Sequence, residues 1–407
     1  MKNIIVIVDP FSSSSHLPQQ IRKSYPNYEV VALFSFDEIP DIFLSSWHSK
    51  NFDGVVFKKD ISQFIDEKGD EIAAVIPGAE TGVTLVDLLS ENLGIPKNPA
   101  QFSELRTQKS SMQIKLENSS LRGIKSYVVQ DIKEIKKAFE NLQTEKIVFK
   151  PVDSAGSDSV LFLKSLYALE QAFISLKGTK NALGRINEKF ILQEYIDGTE
   201  YVVDLVANNG HFSTLSICKY NKATLNGSES VYVSLECLQP HEHQYLIDYA
   251  KQVAKEFNIK TGAIHLEIMV DEKGPVLIEL GGRLHGGIAP LLFEKVYERS
   301  LLDSQLRSYI GLDHEESFTN ILTKPGKICF LVSHQEGILK KTEILNDYEE
   351  IAKSLVIPPF LPRVGSYLSK TVDLNTCPGL FALVGDIEQI EKDEKLIHDS
   401  IQFVVEE

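Results

Sequence analysis

Apolar residues recur along this chain in two rhythms, and each rhythm predicts an element. Ile4 to Val8 is apolar at every position, the pattern of a parallel strand buried on both faces. Tyr28–Phe34, Gly54–Phe57 and Ile72–Ile76 predict further strands, separated by segments long enough for helices. Strands alternating with helices predict an open α/β sheet, in which ligands bind beyond the carboxyl ends of the strands. Glu80 directly follows the last of these strands, in PGAETGV, and is a candidate for the substrate site. From Val83 the period changes. Leu85, Leu88 and Leu89 lie at helical spacing, and Gly94 closes the helix. Pro96 and Pro99 then mark a boundary near residue 97.

The next stretch predicts a helix over Lys109–Leu116 and a strand after Gly123. An amphipathic helix follows over Asp131–Leu142, with Ile132, Ile135, Ala138, Phe139 and Leu142 on one face. The apolar strand Ile147–Pro151 carries Lys150 near its end. A loop of small residues comes next, containing Ser154, Ala155, Gly156 and Ser157, and then the apolar run Val160–Leu163. Strand, small-residue loop, strand describes a flap whose backbone N–H groups can cover phosphates, with Lys150 placed for an α- or β-phosphate. The Walker pattern GxxxxGKS is absent, which excludes a P-loop enzyme. In Phe190–Ala207, the groups from Gln193 and Glu194 to Ile196 suit an adenine edge, and Glu200 suits ribose hydroxyls. Leu215–Tyr220 predicts a strand carrying Lys219, a further candidate nucleotide contact. Asn221–Ser230 reads as a polar loop containing Glu229.

After a helix over Tyr245–Phe257 comes AIHLEIMVDEKGPVLIELGGRLHGG, residues 263–287. Two apolar runs flank the turn Asp271-Glu272-Lys273-Gly274, the signature of a β-hairpin. Strict alternation places His265, Glu267 and Met269 on one face, and sets Val276 and Ile278 opposite Leu277 and Glu279. Pairing across the turn can bring Glu267 and Glu279 together. Two converging carboxylates need a cation, and Mg²⁺ supplies one that also binds phosphate oxygens. Arg283 lies just beyond the second strand, among glycines. Ile288–Tyr309 reads as mostly helical. From about residue 312, strand-like and helical runs alternate in a small α+β region.

Composition narrows the partners. A chain of 407 residues is long enough for two or three domains, and a net charge of −15 argues against nucleic acid. No apolar run is long enough to span a membrane, and IIVIV near Met1 reads better as a first strand than as a signal peptide. Cys218, Cys237, Cys329 and Cys377 show no CxxC spacing, the usage expected of reduced thiols in a cytoplasmic protein.

Taken in order, Lys109, VFKPVDSAGSDSV, LQEYIDGTE and HLEIMVDEKGPVLIELGGR resemble the ATP-grasp superfamily. IPGAETGVTLVDLLSENLGIPKNPAQFSELRTQKSSM and ELGGRLHGG resemble, within it, the L-amino-acid ligases that form dipeptides. The resemblance implies an N-terminal open parallel α/β domain (1–97), an ATP-grasp domain (98–311, with a flap subdomain at about 124–196) and a small C-terminal α+β domain (312–407). It implies that Lys109 and Lys150 hold ATP phosphates, that Gln193, Glu194 and Ile196 line the adenine site, and that Glu200 binds ribose. Glu267 and Glu279 would hold two Mg²⁺ ions, for which Mn²⁺ can substitute, and Arg283 would steady an acyl phosphate. Glu80 and Glu229 are candidate bases for an amine nucleophile. Many ATP-grasp enzymes carry Asn two residues after the second metal glutamate; here that position is Gly281. The expected partners are ATP and amino acids, and the family is compatible with a homodimer. Alternatives left open are ligation of a different carboxylate and amine, a carboxylase, and a non-catalytic nucleotide-binding regulator.

Overall fold

The computed structural model describes residues 2–152, 159–181, 185–312 and 316–406. The first sheet is wholly parallel. It contains β1 (Ile4–Val8), β2 (Glu29–Leu33), β3 (Gly54–Val56) and β4 (Ile72–Pro77), in the order β3-β2-β1-β4. Ile5, Ile7, Val8, Val30 and Val75 are fully buried, as the unbroken apolar runs require. At the carboxyl end of β1, buried Asp9 accepts hydrogen bonds from the Ser35 amide (2.8 Å), the Ser35 hydroxyl (2.7 Å) and the Thr81 hydroxyl (2.6 Å). One carboxylate thus ties together the loops after β1, β2 and β4. The helix Val83–Leu93 ends at Gly94, whose φ of 63° closes it in the left-handed region.

The second sheet is antiparallel, in the order β5-β8-β6-β7, from β5 (Ser126–Val129), β6 (Ile147–Pro151), β7 (Leu161–Leu163) and β8 (Phe190–Glu194). Helices Ile132–Leu142 and Leu166–Leu176 pack on it. Ile135, Phe149, Leu169, Phe173 and Phe190 form its core, separate from the others. The two strands expected to flank the small-residue segment are present as β6 and β7, paired antiparallel. Ser154, Ala155, Gly156 and Ser157 lie outside the described residues.

The third sheet has eight strands in the order β13-β12-β9-β10-β11-β14-β18-β16. These are β9 (Thr199–Asn208), β10 (His211–Leu225), β11 (Ser228–Leu238), β12 (Thr261–Asp271), β13 (Gly274–Gly281), β14 (Gly326–Phe330), β16 (Leu355–Ile357) and β18 (Leu380–Val384). Strands from beyond residue 312 thus continue the sheet that holds the hairpin. The separate C-terminal sheet is β17-β15-β19, from β15 (Gly337–Ile344), β17 (Tyr367–Leu368) and β19 (Ile401–Glu406). Asn221–Ser230 is not a loop but the end of a long hairpin. Asn226 and Gly227 both have positive φ, 52° and 84°, the residues and conformation of a tight two-residue turn.

A buried ion pair joins the first unit to the rest. Arg106 is fully buried and donates to Asp87 at 2.6 Å, to the Pro99 carbonyl at 2.9 Å and to the Phe257 carbonyl at 3.4 Å. Ser103 also donates to Asp87, at 2.6 Å. Removing one partner strands the other charge in the interior. Asp87→Ala is expected to lower stability by about 3–5 kcal/mol in urea denaturation. A loss under about 1 kcal/mol would show that the pair is not needed to hold these segments together.

Candidate active site

The hairpin β12–β13 sets the site. From its two-residue turn the register runs Asp271↔Gly274, Met269↔Val276, Ile268↔Leu277, and then shifts to Glu267↔Glu279. Ile278 is the extra residue of a β-bulge. Unbroken alternation would have paired Glu267 with Ile278 and turned Glu279 to the other face. The bulge corrects the expectation that Ile278 and Glu279 point apart: both line one cleft with His265, Glu267 and Met269.

That cleft has a volume of about 600 Å³ and is lined from the eight-stranded sheet, the sheet β5-β8-β6-β7 and the loop after β4. Lys109, at the start of helix Lys109–Glu117, is ion-paired with Glu279 at 2.9 Å. Burial works against its charge, but Glu279 and Glu80 prevail and raise its pKa. Lys150, on β6, is also buried, and no carboxylate among the described residues lies within ion-pairing distance of it. Burial, with the nearby charge of Lys109, pulls its pKa down to about 8. Glu80 follows β4, beside Thr81, which is anchored on Asp9. It faces Arg283 at 3.6 Å, and burial first, then Glu279, raises its pKa. Arg283 donates to its neighbouring Leu284 carbonyl at 2.8 Å. Its guanidinium folds over Gly281, where an added Cβ would come within 3.4 Å of Cζ and Nε. A Cβ at 281 would make the Arg283 side chain give by a few tenths of an ångström.

Behind the hairpin lies a group that sequence reasoning missed. Asp204, on β9, is buried between His265 and His285, with each Nδ1 3.0 Å from one of its oxygens. The Ser216 hydroxyl donates to it at 2.6 Å. Burial opposes its charge, but both imidazoles outweigh this and hold the carboxyl well below the usual range. His265 also reaches toward Glu267, with Nε2 3.5 Å from Oε1. Burial disfavours the imidazolium, yet Asp204 and Glu267 lift His265 to about 9. Glu267 in turn is held down to about 2: burial raises it, and His265, Lys109 and Arg283 lower it more. The available signal was period two, which places His265 on the face of Glu267; Asp204 and His285 are far apart in sequence and gave none.

The other predicted residues separate. Gln193, Glu194 and Ile196 line the cleft with Ile124, Val148 and Phe162. Gln193 Nε2 donates to Ser126 at 2.8 Å, and Glu194 accepts the Lys125 amide at 2.9 Å. Glu200 is buried, ion-paired with Lys222 and in contact with the Tyr232 hydroxyl at 3.2 Å. Lys219 is not among the lining residues. Tyr220 and Lys222 are, so the basic residue of this strand that reaches the cleft is Lys222. Glu229 sits at the rim, over half exposed and ion-paired with Lys146, which lowers its pKa. It lies beside the flap sheet, while Glu80 lies beside Arg283. Two carboxylates on neighbouring strands with flanking cations form an oxygen donor set suited to a hard divalent cation bound to phosphate.

The ATP-grasp domain family matches residues 143–290. The chain is 27% identical over 306 residues to dapdiamide A synthase of Enterobacter agglomerans, covering 72% of this chain and 70% of that protein. It is 24% identical over 286 residues to the L-arginine-specific L-amino acid ligase of Bacillus subtilis, covering 70% and 68%. Its fold is similar to that of an L-amino acid ligase from Bacillus licheniformis, with a TM-score of 0.77 at 15% identity over 100% and 99% of the two chains.

Two outcomes are expected from the site. ATP affinity should weaken as pH rises through about 8, where Lys150 loses its proton, by up to about tenfold per pH unit. Lys150→Arg, charged throughout, should flatten the profile measured by calorimetry, and an unchanged profile would remove Lys150 from the phosphate site. Glu267→Gln should weaken Mg²⁺-dependent nucleotide binding by about tenfold or more, while binding of nucleotide without Mg²⁺ changes little.

Proposed function

From the premise that the chain is an ATP-grasp protein, an ATP-dependent carboxylate–amine ligase by type, we propose that it joins two L-amino acids into a dipeptide. One carboxylate attacks the γ-phosphate of ATP, giving an acyl phosphate and ADP; the amine of the second amino acid then displaces phosphate. A carboxylate is a poor electrophile, and phosphorylation supplies the leaving group. Phosphoryl transfer calls for positioning and charge neutralisation more than for covalent catalysis.

The observation that carries this reading is Lys150. A lysine buried without a carboxylate partner is costly, and a phosphate would supply the missing charge. In this reading Lys109 and Lys150 hold the phosphates of ATP, and Glu267 and Glu279 hold Mg²⁺, which supplies charge neutralisation for the transferred group. Gln193, Glu194 and Ile196 take adenine. Glu200, aligned by Lys222 and Tyr232, takes ribose. Arg283 steadies the acyl phosphate and the negative charge of the tetrahedral intermediate. The bulge that brings the two glutamates together, and the glycine that lets Arg283 lie flat, support an intact reaction centre over a passive nucleotide binder. The name of the L-arginine-specific L-amino acid ligase supports amino acids as substrates. Ile288, Phe330, Leu374 and Leu380 give the cleft an apolar wall, which favours an apolar side chain on one of them.

The test is phosphate release from ATP and Mg²⁺ with all amino acids singly and in pairs, followed by product mass. A pair that accelerates release and yields the summed mass less water is the expected result. Acceleration by a carboxylate with some other amine, or no acceleration by any pair, would sink the dipeptide reading. Glu279→Gln should cut the pair-dependent rate by about a hundredfold or more.

A further inference from the structure

In a ligase that attacks with an amine, the amine's proton needs an acceptor. Glu80 faces Arg283 at 3.6 Å, and Glu229 is taken up by Lys146 at the rim. The Asp204 cluster is unused by phosphoryl transfer, and its geometry suits this task. Asp204 accepts from Nδ1 of His285 at 3.0 Å, which fixes the proton on Nδ1 and leaves Nε2 as the lone-pair nitrogen. Among the described residues no protein group meets that Nε2. His285 lines the cleft two residues beyond Arg283. The chain continues as Gly286-Gly287, which line the same cleft and where an added Cβ would meet nothing within 4 Å. Phe293 packs against the imidazole edge-on, with ring centroids 5.5 Å apart, and holds its plane. Burial, then the charges of His265 and Arg283, keeps this imidazole neutral against the pull of Asp204.

We propose that His285, oriented by Asp204, is the general base that takes the proton from the attacking amine; this rests on the ligase reading. The substrate ammonium gives one proton to Nε2 of His285, and Asp204 balances the imidazolium formed. The freed nitrogen lone pair attacks the acyl-phosphate carbonyl. The C–N bond forms, the C–O bond to phosphate breaks, and phosphate leaves with the bonding pair and the second nitrogen proton. His285 returns its proton to solvent when the products depart. A base oriented by a third group is the arrangement that nucleophile activation requires.

Hydroxylamine separates this role from a structural one. It is a weak base, largely neutral at the assay pH, and attacks an acyl phosphate without prior deprotonation. In His285→Ala, ATP-dependent hydroxamate formation from the carboxylate substrate should stay within about threefold of wild type, while dipeptide formation falls about 10²–10⁴-fold. His285→Gln, closer in shape, repeats the test if the alanine variant unfolds. Equal loss of both products in both variants, or no loss of dipeptide, overturns the proposal. So does stoichiometric transition metal in the purified protein that disappears in His285→Ala, since Asp204, His265 and His285 lie close enough to ligate one. Wild-type protein that makes no hydroxamate with any amino acid overturns the ligase reading itself, whereas wild-type hydroxamate with unaffected dipeptide synthesis in the variants overturns only the base.

Discussion

Everything about this cleft answers one electrostatic problem: Glu80, Glu200, Glu267 and Glu279 line one cleft, with Asp204 buried directly behind. Like charges about 4 Å apart repel by roughly 4 kcal/mol at an effective dielectric of 20, and desolvation adds to that. The fold meets the cost locally. Lys109 takes Glu279, Lys222 takes Glu200, Arg283 faces Glu80, and His265 stands between Asp204 and Glu267. Each cation comes from a different part of the chain, so the charge balance exists only when the units are assembled. Lys150 is the exception, a buried cation whose neighbours leave it unsatisfied. In the proposed ligase, that is where a phosphate would sit.

Much of this could be read from the chain. The parallel sheet was legible because strands buried on both faces carry unbroken apolar runs, and Glu80 followed from its place beyond β4. The flap strands and the glutamate hairpin were legible because their apolar runs are short and punctuated by small residues or a charged turn. What escaped has identifiable physical causes. Ile278 is an ordinary strand residue, and nothing about it announces the bulge that turns Glu279 inward. Glu267 and Glu279 coming onto one face across the turn was anticipated, but Ile278 lining the same cleft was not. The polar composition of Asn221–Ser230 suggested a loop. Its strand residues line the cleft from an antiparallel hairpin, and the Asn226-Gly227 dipeptide was the signal that outweighed polarity. That misreading also hid Lys222 behind Lys219. Asp204 and His285 come together only through the register of β9 with β12 and the path of the chain after β13, which no local pattern encodes.

The departure at position 281 shows how a local exception can be consistent with its surroundings. Asparagine at that point would set a Cβ 3.3–3.4 Å from Arg283, close enough that the guanidinium side chain must shift slightly. The chain trades one polar group for a guanidinium pressed against backbone, which costs little flexibility because Arg283 is also held by the Leu284 carbonyl. The shape of this cleft therefore depends on the backbone at two neighbouring places, the bulge at Ile278 and the bare Cα at Gly281.

The sheet β5-β8-β6-β7 has a core of its own, and among the described residues the small contact of Ile124 and Ile196 with Met269, Val276 and Ile278 forms an apolar bridge to the hairpin. Cooperative unfolding is governed by which contacts are lost together. This module can come apart without disturbing the layers around Val203, Leu266 and Phe257. Its amides then exchange with solvent through a cheaper local opening than those of β9 and β12. A bound nucleotide, touching both sides of the apolar bridge, would couple the two foldons, and the amides of β6 and β8 would inherit the slower exchange of their neighbours.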